Sequence, residues 1–275
     1  MLSGLTRVRQ FSQDDGHSFM MQDQIGDEVE KMLGLVRRVY GDFGLDYTAK
    51  LSTRPAEFMG EIATWDSAEA QLKSALEKAG QAYTINEGDG AFYGPKIDFD
   101  ITDAIGRKWQ CATIQLDYNA PERFDLKYIG ADNHEHRPVV IHRAIFGSFE
   151  RFIALLIEHY AGAFPLWMAP VQTIVLPISD RHLAYAAAVR DRLAGAGLRV
   201  ELDERQEKIG YKIREAQLQK IPYMLVVGDR EAAESTVSVR TRSGGDQGAS
   251  TIDAFVAMAN EEIATKGRKA DQAAA

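Results

Sequence analysis

A single cysteine, Cys111, in 275 residues excludes an internal disulfide and any zinc site built from paired thiolates. Long apolar runs are missing as well: none approaches the roughly 20 residues that cross a bilayer, and the opening MLSGLTRVRQF lacks the apolar stretch of a signal peptide. The expectation is a soluble, cytoplasmic protein with no membrane partner. No internal repeat or low-complexity tract is visible, and the composition is not that of a disordered or collagen-like chain. Only eight prolines occur. Two of them, Pro165 and Pro170, frame the stretch FPLWMAP, which reads as a linker and sets a domain boundary between residues 168 and 169.

Charge is present but uneven. The net charge is -8, and all of it lies before the linker: residues 1–168 hold 17 Lys and Arg against 25 Asp and Glu, while residues 169–275 hold 15 of each. An acidic protein still holds a polyanion where its basic residues are local, so this balance neither supports nor excludes a nucleic-acid partner.

The stretch PVVIHRAIFGSFERFIALLIEHY, residues 138–160, organises the first half. Its β-branched run behind a proline predicts a strand, and Phe149, Phe152, Ile153, Leu156, Ile157 and Tyr160 then recur at helical spacing. Arg151 falls in the first turn of that helix. Free amides and a guanidinium there suit an oligoanion such as a triphosphate, or Arg151 pairs with Glu150 or another carboxylate. Upstream, residues 5–20 alternate in a way that predicts antiparallel strands. Residues 27–40 predict a helix closed by Gly41, residues 47–52 a strand, and residues 66–80 a helix with Asp66 and Glu69 spaced as a capping box. In KIDFDITDAIGRKWQCATIQLDY, Ile97, Phe99 and Ile101 alternate with Lys96, Asp98 and Asp100, and a turn leads to a long partner strand, residues 107–118. Simple parity puts Gln110 on one face of that strand and Thr113 and Gln115 on the other. Each glutamine needs a partner, or else the strand is a wet edge. Beyond the linker, strands and helices alternate (171–179, 181–194, 198–202, 208–219, 223–228, 236–241, 252–266), implying an α/β domain with a mixed sheet. The tail, residues 266–275, is expected to fray.

Five separated motifs in order, GLTRVRQFSQDDGH, GAFYGPK, WQCATIQLDY, IHRAIFGSFERF and EKIGYKIREAQLQKIPYMLVVGD, resemble those of the threonyl-tRNA synthetases, a family of class II aminoacyl-tRNA synthetases. The resemblance runs over nearly the whole chain. It implies α/β and α+β architecture: residues 1–168 a partial class II antiparallel sheet with helices, lacking motif 1 and the start of motif 2, and residues 169–275 an anticodon-binding domain.

The resemblance implies a threonine-tRNA ligase, here amino-terminally truncated, that forms threonyl adenylate from ATP and threonine and passes the threonyl group to tRNA. The alternative is a non-catalytic tRNA-binding or RNA-binding fragment or paralogue acting through its anticodon domain. Carried over residue by residue, Arg151, Lys96 and Arg7 are catalytic, and Arg7, Arg9, Phe11, Lys96, Gln110, Gly147 and Arg151 bind ATP with its magnesium. Gln13, Asp15, Tyr93, Thr113 and Gln115 bind threonine. His17 and His142 are zinc ligands, one further ligand of the family being missing from this chain. Gln206, Glu231 and Arg240 read the anticodon, while Lys208, Lys212 and Arg214 add affinity for the RNA backbone. The family is homodimeric through motif 1, so its absence puts the dimer in question.

Overall fold

The computed structural model describes residues 2–267. They form two compact units that divide between His159 and Tyr160. Most of the tail expected to fray lies outside the described residues.

The first unit is a six-stranded sheet under two long helices. In chain order its elements are β1 (Gly16–Met20), α1 (Ile25–Asp42), β2 (Tyr47–Ser52), α2 (Ile62–Lys78), β3 (Tyr83–Asn86), β4 (Lys96–Thr102), β5 (Lys108–Asp117), α3 (Asn119–Arg123), a small hairpin of β6 (Tyr128–Ile129) and β7 (Glu135–His136), β8 (Val139–Ala144) and α4 (Phe149–His159). The strand order is β1-β8-β5-β4-β2-β3. All neighbours are antiparallel except β2 and β3, whose connection carries α2, as a parallel pair requires a crossover. The β4 alternation sends Ile97, Phe99 and Ile101 into the core. There Phe99 meets Tyr47, and Tyr47 meets Tyr40 of α1, at ring separations of 5.7 and 5.4 Å. The opposite face is polar.

Three expectations are corrected. Residues 2–15 form no regular strand; the first is β1, and before it only the isolated bridges Ser3–Arg7 and Gln13–Ser148 occur. The backbone groups there are satisfied elsewhere: Ser12 N–H donates to the Glu150 carboxylate at 3.1 Å and Ser12 C=O accepts from Phe149 N–H at 2.9 Å. Helix α2 starts at Ile62, so Asp66 and Glu69 lie inside it. Rather than forming a capping box, both bind Arg54, Asp66 through the guanidinium and Glu69 through the backbone amide, each at 2.8 Å. Helix α1 runs through Gly41 to Asp42, and the left-handed residue that turns the chain away is Gly44, at φ +65°.

The second unit comprises β9 (Thr173–Pro177), α5 (Leu183–Gly195), β10 (Val200–Leu202), α6 (Ile209–Leu218), β11 (Tyr223–Val227), α7 (Asp229–Glu234), β12 (Thr236–Thr241), β13 (Gly245–Thr251) and α8 (Ile252–Thr265). The sheet order is β10-β9-β11-β12-β13. Strands β10, β9 and β11 are parallel and the last three antiparallel, so the sheet is mixed. One face packs Val175, Leu225 and Val237 against Val189 and Phe255 of the flanking helices; the other packs Ile174, Leu176 and Met224 against Ala216. The FPLWMAP stretch packs with this unit: Leu166 is part of its core, and Arg242 donates to the carbonyls of Ala163 and Phe164.

Candidate functional site

The polar face of the first sheet carries a row of side chains set by strand register. Ser52 is the direct partner of Lys96, Lys96 of Gln115, Gln115 of His142, and His142 of His17. Partners in register share a face, so five strands contribute to one line of polar groups. At one end the His17 and His142 rings meet edge to face, centroids 4.6 Å apart.

A β-bulge completes the row. Asp98 pairs with Thr113 but Asp100 with Gln110, so Cys111 and Ala112 together oppose Phe99. The extra residue flips the parity of β5: Gln110, Thr113 and Gln115 share the polar face, although simple alternation separates them. Nor is β5 a wet edge, for it lies between β8 and β4. The Ala112 amide freed by the bulge is caught by the buried Tyr40 hydroxyl at 2.9 Å, which itself donates to Ile145 C=O at 2.7 Å. Burial lifts the Tyr40 hydroxyl well above its ordinary range, with Cys111 adding to the rise.

Each glutamine has a partner. Gln110 Nε2 donates to Asp98 Oδ1 at 2.6 Å, and Gln115 accepts from the Tyr93 hydroxyl while donating to Thr113 Oγ1 at 3.3 Å. Lys96 Nζ lies 2.9 Å from Asp98 Oδ2. His142 Nε2 is 2.9 Å from Asp117 Oδ2. Burial alone raises the Asp117 carboxyl, but hydrogen bonds from His142 and the amides of Ala120 and Asn119 outweigh it and hold the group below its usual value. Tyr93 moves up through burial, with Asp117 and Asp15 adding to the shift.

Beside this row lies a cleft of ≈ 440 Å³ walled by Arg7, Phe11, Gln13, Gln110, Cys111, Thr113, Gly147 and Arg151 among others. Arg151 in the first turns of α4 makes no ion pair among the described residues. Its guanidinium donates to Thr6 C=O at 3.2 Å and Gln110 C=O at 3.4 Å and lies 5.4 Å from the Trp109 ring. Glu150, the alternative partner considered from sequence, is taken up by Ser12. Gly147 is required twice over: its φ is +71°, and a Cβ there meets Cys111 C=O at 2.8 Å. Asp14 anchors the same loop, accepting from Ile145 N–H at 2.8 Å and Phe146 N–H at 2.9 Å. Arg9 is exposed and does not line the cleft. Cys111 is buried, and its thiol is pushed up to about 12 by that burial against the pull of Arg151.

Asp98, Asp117, Asp14 and Tyr40 were not singled out from sequence. The first two were detectable: Asp98 shares parity with Lys96, and Asp117 with Thr113 and Gln115.

His17 and His142 give two imidazole donors, and Asp15 Oδ2 lies 3.8 Å from His17 Nε2. Catalytic zinc takes three protein ligands. Among the described residues no group of three His, Cys, Asp or Glu side chains is placed to hold a metal, so the donor set is half a site.

In the second unit, Gln206 Nε2 donates to Asp180 Oδ2 at 2.8 Å and Arg240 Nη1 to Asp246 Oδ2 at 3.0 Å. Glu231 lies in α7, buried, where its carboxylate accepts from Gly228 N–H at 3.0 Å and meets Arg230 at 3.4 Å. Lys212 is corrected: it is 3% exposed and donates to the carbonyls of Pro177 and Asp203 at 3.2 and 3.0 Å, joining the ends of β9 and β10. A phosphate has no access to it.

Residues 1–160 match the tRNA synthetase class II core domain of the G, H, P, S and T enzymes, and residues 172–262 an anticodon-binding domain. Threonine–tRNA ligase of Symbiobacterium thermophilum is 60% identical over 265 residues, which cover 96% of this chain and 41% of that protein. The Natranaerobius thermophilus enzyme is 56% identical, with 95% and 41% covered. The chain therefore spans about two fifths of the length of these curated relatives. Among solved structures, the RNA-binding domain of threonyl-tRNA synthetase from Cryptosporidium parvum aligns with a TM-score of 0.90 at 44% identity, covering 94% of this chain and 66% of that one. A putative threonyl-tRNA synthetase from Aeropyrum pernix aligns with a TM-score of 0.79 at 29% identity, with 94% and 64% covered.

Proposed function

Because the chain belongs to the class II tRNA synthetases, we propose that it carries the amino-acid-activating and anticodon-reading parts of a threonine–tRNA ligase working in the cytoplasm on threonine, ATP and threonine tRNA. The observation that supports this most is the register row from Lys96 to His17 beside a cleft holding Arg7, Phe11 and Arg151.

In this reading Arg151, which pairs with no carboxylate among the described residues, and Arg7 hold the phosphates of magnesium-bound ATP. Positioned cations there stabilise charge that builds as the amino-acid carboxylate attacks the α-phosphate. Arg9, exposed and outside the cleft wall, adds a further ATP contact. Phe11, 55% exposed on the cleft wall, stacks on adenine, and Lys96, Gln110 and the close backbone at Gly147 complete the nucleotide contacts. Threonine lies over the row, against Gln13, Asp15, Tyr93, Thr113 and Gln115. Its hydroxyl is read by groups that valine leaves unpaired, which is how such a pocket rejects the isostere. His17 and His142 would hold a zinc ion as two of its ligands, and the ion would supply Lewis-acid binding of an amino group and a hydroxyl. In the second unit Arg240 and Gln206 read anticodon bases by hydrogen bonding, with Glu231 offering the oxygen that otherwise faces Arg230.

Threonine-dependent exchange between ATP and pyrophosphate tests the proposal, run on this chain and on a version extended upstream. Exchange in the extended form is expected. Exchange in neither overturns the ligase reading.

A further inference from the structure

Asp98 is 2% exposed at the centre of the polar face. Its two oxygens serve different neighbours. Oδ2 accepts from Ser52 Oγ at 2.8 Å and faces Lys96 Nζ at 2.9 Å, whereas Oδ1 accepts from Gln110 Nε2 at 2.6 Å and Thr113 Oγ1 at 3.0 Å. Beyond Thr113 the hydrogen bonds continue in one direction. Gln115 Nε2 donates to Thr113 Oγ1, and the Tyr93 hydroxyl donates to Gln115 Oε1. Each donor in the series Tyr93, Gln115, Thr113 faces the next group on the way to the carboxylate.

An ionised carboxylate can only accept. The Thr113 proton is thereby committed to Asp98, which leaves the Thr113 oxygen as an acceptor. That turns the NH2 of Gln115 toward Thr113 and its carbonyl toward Tyr93, and commits the tyrosine proton in turn. With these protons directed inward, the free lone pairs of Tyr93 and its neighbours are what the pocket presents to a ligand. We infer that Asp98 is a positioning residue that fixes the hydrogen-bond polarity of this face and so selects ligands that bring donors, the ammonium or hydroxyl group of a small amino acid. The inference rests on the threonine reading above and deepens it: the same carboxylate that seats Lys96 and Gln110 at the nucleotide side orients the amino-acid side. Such a network is worth more than its pairs taken singly.

Asp98→Asn keeps the shape and adds a donor, so Thr113 can receive a proton where it now gives one, and the series can reverse. The test records side-chain amide signals of Gln110 and Gln115 by NMR on the full chain, together with threonine binding by calorimetry. Both glutamine signals should move in Asp98→Asn, although Gln115 does not touch residue 98. Threonine affinity should fall about tenfold, the scale of one charge-assisted hydrogen bond. Gln115 signals that stay at their original positions overturn the inference, as do signals that move while threonine affinity changes less than about twofold. If neither the unsubstituted chain nor its upstream-extended version binds threonine, the threonine reading fails, and the Gln115 signals still decide the polarity. If Asp98→Asn does not fold, Thr113→Val and Thr113→Ser decide it: Gln115 should move in the first and keep its position in the second, and no difference between them overturns the inference.

Discussion

His17 and His142 stand directly opposite each other on β1 and β8, and their rings meet at 4.6 Å with an interplanar angle of 82°. The edge strand thus brings one imidazole to the other without help from a loop. Two ligands fixed on sheet backbone are pre-oriented, but two ligands alone hold zinc weakly. Purified chain is expected to carry sub-stoichiometric zinc, and His17→Ala or His142→Ala should abolish the remainder; elemental analysis measures both. Tight equimolar zinc in the unsubstituted chain, or retained zinc in both variants, contradicts the half-site.

Asp117 makes the support of His142 dependent on acid. Its carboxyl is depressed below the ordinary 3.8, so the stability it contributes is fully present above that value and is lost as pH falls through the lower folded-state value. Acid denaturation followed by circular dichroism should therefore show an Asp117 contribution below pH 3.8. Asp117→Asn should destabilise the chain at neutral pH and flatten the acid limb. Parallel limbs for the two proteins refute the linkage.

Tyr40→Phe removes a single oxygen that serves both the bulge amide of Ala112 and the carbonyl of Ile145. Leaving buried backbone groups without partners costs about 1 to 3 kcal/mol, and urea denaturation should register a loss of that size. Nucleotide affinity should fall too, because the bulge is what turns Gln110 onto the site face. A variant as stable as the parent rules out the role given to this hydroxyl.

Arg240→Ala is expected to weaken binding of threonine tRNA by about 1 to 3 kcal/mol and to blur discrimination against altered anticodons. Filter binding across an anticodon series reads both. Affinity that is unchanged, or loss that is equal for every anticodon, argues for a surface pair with Asp246 and nothing more.

Lys212 and Lys208 separate packing from RNA contact. Lys212→Met orphans two carbonyls and should cost about 1 to 3 kcal/mol of stability without altering the salt dependence of tRNA binding. Lys208→Met should do the reverse, lowering the slope against salt by about one unit. A flattened slope in the Lys212 variant contradicts its buried assignment.

Much of this molecule was legible in its sequence, and the misreadings share physical causes. The β4 alternation, the α1 stripe and the α/β order after the linker express themselves as periodicity, and the sheets follow them. Parity failed on β5 because a bulge inserts one residue, and nothing in WQCATIQ marks where. Capping chemistry failed at Asp66 and Glu69 because a carboxylate at the right spacing serves a distant arginine equally well. Helix α7 is too short for a periodic signal, and β13, GDQGAST, is an edge strand with no apolar face to display. The opening segment alternates like a strand, but strand structure needs a neighbour, and its backbone groups are taken by Glu150 and the start of α4 instead. Of the site, the residue types follow from resemblance; among the carboxylates that hold them, strand parity marks Asp98 and Asp117, whereas Asp14 emerges only from its bonds to the amides of Ile145 and Phe146.

The lone cysteine sits at the bulge, 3% exposed, with its carbonyl under Gly147 and its thiol pushed up to about 12. A folded chain should therefore ignore thiol reagents, and labelling can proceed only when β5 opens. The protein thus contains its own clock for breathing at the centre of the sheet: the rate of modification at one atom, followed by mass spectrometry, reports how often the strand that carries Gln110 and Thr113 comes apart, and bound ligand should slow it.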